Sequence, residues 1–518
     1  DLPASRRLLL RITHSESMNR GFSSYPDWKA PGDDSAMLIW PEPKRLVEQS
    51  LDNQKKLASE TIVRPGRVPL SELRQRMRQW LHIPLDRPMI VTAHQTELYH
   101  AGVWSKLALA EAAGKKIGAE SLMIGVDSDA PKHLQLRWPR SSLAITDDPN
   151  LAGAAWSGLL AAPTPSHLRE LTTKLDEAAA QWPFRPMAGE FLADLSRRSL
   201  DPPGLSVEIT EAMQSLDRDL GLGHESLIAS PIYGSLPYLA MAHHLLSRGA
   251  EFAEIYNRAL ADYRAAHRIR TKARPMPDLQ ILSNSVEVPF WVDDLKNGSR
   301  ARARVERDAA GWKFTAGGEP LRLDATADGW TAAEQLQKYL QIHGVRLSPR
   351  ALTLTLVVRL LIADQFIHGI GGGRYDQVTD QVIRTFFGME PPAFAVTTAT
   401  LYFPTAVGRP RPCLPCLAHE GHQLRHRVLG VRKMELVNQI ETSPRKSPQR
   451  LRTFLEMHGQ LADAARKHGD IQDWQSRVEE ANRRNLEDSA LFDREFFYAI
   501  QPRERLVKII DQYGKAFA

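Results

Sequence analysis

The stretch "PMIVTAHQTELYHAGVWSKLALAEAAGKKIGAESLMIGVDSD" limits the possible folds of this chain more than any other. An apolar run from Met89 to Ala93 is rich in strand formers and too short for a helix. From Val103 to Ile117 the apolar residues Val103, Leu107, Ala110 and Ile117 recur on one helical face. A second apolar run, "SLMIGVD", follows. Strand, helix and strand in that order make a βαβ unit, two parallel strands joined by a crossing helix.

The unit ends in chemistry. In an open parallel sheet, ligands bind beyond the carboxyl ends of the strands. Thr92, His94 and Gln95 fall at the first such end, Asp127 and Asp129 at the second. An imidazole, an amide and two carboxylates suit gripping a polar amine or hydroxyl and moving a proton. His94, Gln95, Asp127 and Asp129 are the candidate catalytic residues and Thr92 a candidate binding residue. The plainer alternative makes the aspartates turn caps and His94 a satisfied surface histidine. His100 stands where a cap of the following helix would stand, and Lys106 lies on that helix, either as a binding residue or as a solvated charge.

Around the unit, residues 1–86 read as a lead-in packed on the core, with Leu70, Leu73, Met77 and Leu81 at helical spacing, and 87–164 as the first core half. Residues 165–225 read as a helical insertion broken at "FRPMAGE" and "LDPPGLS". Residues 226–278 give a return strand and a long helix. Residues 279–330 alternate like a small antiparallel sheet with turns at Asn297-Gly298 and Gly317-Gly318. Residues 331–428 resume the α/β pattern, and 429–518 read as a charged helical hairpin turning near His468-Gly469-Asp470. The fold class expected is α/β, with a parallel-sheet core carrying inserted helical and small β subdomains.

Two further motifs stand out. "FIHGIGGGRYDQVTD" places His368, Gly369, Gly371, Gly372, Gly373, Arg374, Tyr375 and Asp376 ahead of a helical pattern. Backbone amides there could cradle a phosphate or carboxylate, although the pattern matches neither GxGxxG nor the Walker lysine motif; a tight turn for close helix–sheet packing is the alternative. In "RPCLPCLAHEGHQLRHR", Cys413 and Cys416 with His419 and His422 are candidate zinc ligands, against a merely local reduced cysteine pair.

Composition narrows the classes. The excess of 67 Lys+Arg over 61 Asp+Glu is mild and too dilute to imply nucleic acid. The sequence contains no uninterrupted apolar stretch of the roughly 18 residues that a membrane span needs. Two cysteines in 518 residues fit a reducing cytoplasm. The opening "DLPASRRLLLRITHSES" shows no export signal, and because the sequence starts at Asp1 an upstream leader stays open.

The order and spacing of these motifs resemble the cysteine-adding enzymes of bacillithiol biosynthesis, the BshC family. Thr92-Ala93-His94-Gln95 looks like that family's strand-end turn, Lys106 like its helix lysine, Asp127-Ser128-Asp129 like its acidic strand end, and "HGIGGGRYDQVTDQVIRTFFGMEPPAFAV" like its glycine-rich turn, helix and strand. His94 replaces a glutamine of the family turn, no histidine stands between the aspartates, and "GIGGGRYD" lacks the family's Gly-Gly-Pro-Gly-Glu. The resemblance spans residues 60 to 410 unevenly. It implies a Rossmann-like core, a C-terminal coiled-coil-like segment used for homodimerisation, and a ligase joining cysteine, or another small amino compound, to an amino-sugar or similar polar acceptor, with a nucleotide such as ATP or ADP as candidate cofactor. The departures make a divergent paralogue with another substrate an alternative. A nucleotide or nucleotide-sugar dependent transferase is another, and a scaffold or nucleic-acid-binding protein using the basic stretch 409–452 a third.

Overall fold

The computed structural model describes residues 25–198, 204–274, 276–409 and 413–518. The reading of residues 1–17 as lacking an export signal lies outside them, as does most of the expected break at "LDPPGLS". The chain divides into two units, one of residues 1–401 with 494–518, the other of residues 402–493.

The strands are β1 (Met37–Trp40), β2 (Met89–Gln95), β3 (Glu120–Val126), β4 (Gln135–Trp138), β5 (Ser141–Ala144), β6 (Glu225–Ile228), β7 (Ser285–Asp294), β8 (Ser299–Asp308), β9 (Gly311–Phe314), β10 (Leu321–Leu323), β11 (Val345–Pro349), β12 (Gln365–His368) and β13 (Phe394–Ala399). Six of them form the central sheet in the order β1-β13-β12-β2-β3-β6. All its neighbours run parallel except β1, which closes one edge antiparallel to β13. The protein is therefore α/β with a mostly parallel sheet. From β2 the chain builds outward through β3 to β6, then returns to β2's other side for β12 and β13. The strand order thus reverses between β2 and β12, the kind of position at which open α/β sheets bind ligands.

The expected βαβ unit is present, with β2 paired to β3 along its whole length and the helix Ala101–Ile117 between them. That helix is buried on nearly every side as far as Gly114, rather than along the single stripe its periodicity predicts. It lies between the sheet and the helix Arg503–Ala516, whose Tyr513 hydroxyl meets Thr397 Oγ1 of β13 at 2.6 Å. Burying Leu107 and Leu109 there stabilises the fold by about 1.5–3 kcal/mol each. The C-terminal helix thus belongs to the core, and the helical segment expected over 429–518 instead spans 402–493, with helices Leu414–Thr442, Pro448–Lys467 and Gly469–Asp488.

The glycine-rich stretch departs most from expectation. The residues ahead of the glycines, "QFIH", form the strand β12, and Gly369 is the N-cap of the helix Ile370–Val382, so the glycines form its first turn rather than a loop. The small antiparallel sheet has five strands, β10-β9-β8-β7-β11, because β11 returns beyond residue 330 to pair with β7. The long helix expected after β6 is two, Leu236–Ser247 and Gly249–Ala266.

Buried ion pairs pin both ends of β12. Before its first residue, the Asp364 carboxylate takes Arg74 Nη2 and Arg78 Nη2, each at 2.5 Å, and the Met89 amide of β2 at 2.7 Å. Behind the sheet, Arg359 is 1% exposed and bridges Asp376 at 2.5 Å and Asp380 at 2.7 Å. The Tyr25 hydroxyl also meets Asp380. Among the described residues no helix is long and apolar enough to cross a membrane.

Candidate active site

The carboxyl end of β2 carries the densest group of functional side chains. His94 Nδ1 lies 3.2 Å from the Gln95 carbonyl oxygen and 3.4 Å from Glu97 Oε1. Both neighbours are acceptors, so the ring proton belongs on Nδ1 and Nε2 carries the lone pair. Burial, helped by the nearby Lys106 charge, holds the imidazole well below its ordinary pKa, so it is neutral at neutral pH. Gln95 Nε2 donates to Asp129 Oδ2 at 2.8 Å, tying the ends of β2 and β3 together.

Lys106 is not a solvated charge. It is 3% exposed, and its ammonium reaches back to donate to the Ala93 carbonyl oxygen at 2.8 Å. Burial pushes it down to about 7, against the opposing pull of Glu97. Glu97 is pushed up to about 7, again chiefly by burial, and its Oε2 is buried without a hydrogen-bond partner. Glu97 sits among Gln95, Thr96, Tyr99, Asp217 and His224 around a small cavity. Sequence reasoning passed over Glu97; the available signal was a carboxylate three residues beyond His94, inside the same strand-end turn.

Across the strand-order reversal, the register pairs Ile367 with Thr92 and so sets His368 beside the end of β2. His368 is 5% exposed and held low by burial, with Lys106 among the charges acting on it. The end of β2 thus brings together His94, Glu97 and Lys106, while His368 at the end of β12 turns to Asp376. A neutral imidazole, an amine and a carboxyl that can change charge near neutrality make a proton-handling set.

Several predicted residues are otherwise engaged. The Thr92 hydroxyl is buried and donates to the Ile367 carbonyl oxygen at 3.2 Å, so it staples two strands instead of facing a ligand. Asp376 accepts from Thr355 and Arg359 and meets His368 Nε2 at 2.9 Å; the Arg359 and His368 charges outweigh its burial and hold it far below the ordinary carboxylate range. It orients His368 and does not contact solvent. Arg374 is bound to Asp27 at 3.1 Å and to the Trp28 carbonyl oxygen. Tyr375 is exposed. A Cβ on Gly373 would meet Val396 Cγ2 at 2.4 Å, and one on Gly372 would meet His368 Nδ1 at 2.7 Å, whereas Gly369 and Gly371 have nothing within 4 Å. Close helix–sheet packing explains Gly373.

Asp127 is buried, which raises its pKa, and its Oδ1 accepts from the Ser230 amide at 3.0 Å. His100 caps the helix after β2, accepting from the Gly102 amide at 3.0 Å. The expected zinc set is corrected. Cys413 and Cys416 are joined as a disulfide, which leaves no thiolate to ligate, while His419 pairs with Gln423 and His422 with His426. Among the described residues no group of three or more ligand-type side chains could hold a metal ion. A groove of about 480 Å³ lined by Arg76, Trp80 and Trp330 contains none of the predicted site residues. It lies by the helix Leu70–Trp80, whose arginines bind Asp364 at the opposite, amino end of β12.

Comparison with protein-family models and with curated proteins finds no match.

Proposed function

We propose that this protein is a ligase of the cysteine-adding type, built on a Rossmann-like core, which joins cysteine or another small amino compound to an amino-sugar or similar polar acceptor. The observation that carries the reading is the buried Lys106, held near neutrality beside Glu97 and next to the neutral His94 at the point where strand order reverses. An attacking amine must lose a proton, and a group titrating near the working pH takes it most effectively. His94 through Nε2 or uncharged Lys106 serves as that base, Glu97 receives or returns the proton, and Gln95 with Asp129 orients the amine. Forming an amide from a free carboxylate needs activation, for which a nucleotide is the candidate cofactor.

The test is a thermal-shift series with cysteine, other amino acids, ATP, ADP, amino sugars and nucleotide sugars. A ligand at a hundredfold excess over its dissociation constant stabilises by about 2.7 kcal/mol. A shift with cysteine or a nucleotide that disappears in His94→Ala and Lys106→Met supports the reading. Response to nucleotide sugars alone would favour the transferase alternative, and no response to any of these ligands would sink both.

A further inference from the structure

Arginines on and beside the five-stranded sheet alternate with the rings of Trp156 and Trp291. Arg346 stands 5.4 Å from the Trp156 ring, Arg300 5.2 Å from Trp156 and 5.4 Å from Trp291, and Arg350 5.2 Å from Trp291. Trp156 directly precedes Ser157 and Gly158, whose amides donate to the Asp129 and Asp127 carbonyl oxygens, each at 2.8 Å. Arg346 also lies 5.9 Å from Tyr233, whose hydroxyl meets Ser128 Oγ at 3.0 Å. Arg346 is among the charges acting on the Asp127 carboxyl. The ladder is therefore a wall of the same strand-end region.

Its charges do not balance. Asp293 takes Arg300 at 2.6 Å and Arg346 at 2.9 Å, while Glu287 takes Arg350 at 2.5 Å and Arg302 at 3.4 Å. Four guanidinium groups share two fully buried carboxylates. Arg300 Nη2 is moreover buried with no acceptor. A buried donor without a partner is costly, and a ladder serving only to fasten the inserted sheet would gain nothing from the surplus. Guanidinium groups stacked on rings keep their N–H edges in plane and available, the geometry suited to a planar or tetrahedral oxyanion.

We propose that Arg300, Arg346 and Arg350 bind an oxyanion, a carboxylate or phosphate carried by the small-molecule substrate, beside Asp127. The assignment to a substrate rests on reading the strand ends as the reacting site. Asp127 and Asp129 then face the cationic end of the ligand and the arginines its anionic end.

The full-length protein is titrated with inorganic phosphate and with succinate at constant ionic strength, followed by thermal shift and calorimetry. Saturable stabilisation by one of them is expected, weakened roughly tenfold to a hundredfold in Arg346→Gln and Arg300→Gln. Arg322→Gln, which removes an exposed partner of Asp308 on β10, should respond like the wild type. If Arg300→Gln fails to fold, Arg350→Lys replaces it, keeping the charge while losing the planar fork. A wild-type response matched by chloride, or an Arg346→Gln response equal to the wild type, overturns the proposal. No anion response beside an intact cysteine or nucleotide shift means that this inference alone has failed. An anion response with no cysteine or nucleotide shift means that the ligase reading has failed and the anion site stands.

Discussion

Lys106 Nζ donates to the carbonyl oxygen of Ala93 at 2.8 Å, so the helix that follows β2 reaches back to hold the strand it came from. The contact places a buried amine one residue from His94 and couples the sheet's geometry to the protonation of a single side chain.

That coupling has a sign. Lys106, ordinarily at 10.5, is pushed down to about 7. Between those values the unfolded chain binds the proton that the folded chain has released, so this group makes stability rise with pH from about 7 to about 10.5. Its contribution is complete above the unfolded value and is lost as pH falls through about 7. Lys106→Met should flatten this part of the profile and be more stable than the wild type at pH 6, measured by urea unfolding across the range.

Glu97 works in the opposite direction. Raised from 4.5 to about 7, it contributes stability below pH 4.5 that is lost as pH climbs to about 7. Glu97→Gln should remove that decline. It should also lower the Lys106 pKa further, because Glu97 is the charge that raises it, a change visible in the amine's NMR titration.

The glycines of the Ile370–Val382 helix separate packing from ligand binding. Gly373→Ala should destabilise by about 1–3 kcal/mol, because its Cβ would collide with Val396. Gly371→Ala meets open space and should be neutral or stabilising by up to about 1 kcal/mol. Equal effects in thermal unfolding would contradict the packing account.

Asp364→Asn leaves Arg74 and Arg78 buried with their shared counter-charge gone. A loss of about 3–5 kcal/mol is expected, read as a lower urea midpoint. Because Asp364 lies at the amino end of β12, ligand shifts in the surviving folded fraction should persist.

At the cysteine pair, chelation should leave melting unchanged. The intact mass should rise by two hydrogens on reduction. Zinc retained through dialysis against EDTA would contradict the disulfide.

The β2–helix–β3 unit was readable because period and residue type change sharply at its borders. β12 was not, since four buried residues, separated from a helix by three residues, carry no alternation, and four glycines after them disguise a helix start. His94, Gln95 and Asp129 could be placed by the strand-end rule. The burial of Lys106 could not, because a lysine on a helix looks the same in sequence whether it faces water or a strand. Arg300 faces Asp293 across the hairpin that turns at Asn297-Gly298, a pair the spacing allows, but Arg346 reaches the same carboxylate from β11, a strand that meets β7 only in the folded sheet.

The helical unit of residues 402–493 starts and finishes at nearly one place. Phe403 donates to the Leu491 carbonyl oxygen at 3.0 Å, and Arg494 returns at once to Thr398 and Ala399 of β13. To the sheet, those ninety-odd residues are one long hairpin loop. The entropic cost of closing such a loop grows only logarithmically, by about 0.6 kcal/mol for each doubling of length. Natural variation can therefore lengthen, shorten or exchange that arm freely while the strand ends keep their chemistry.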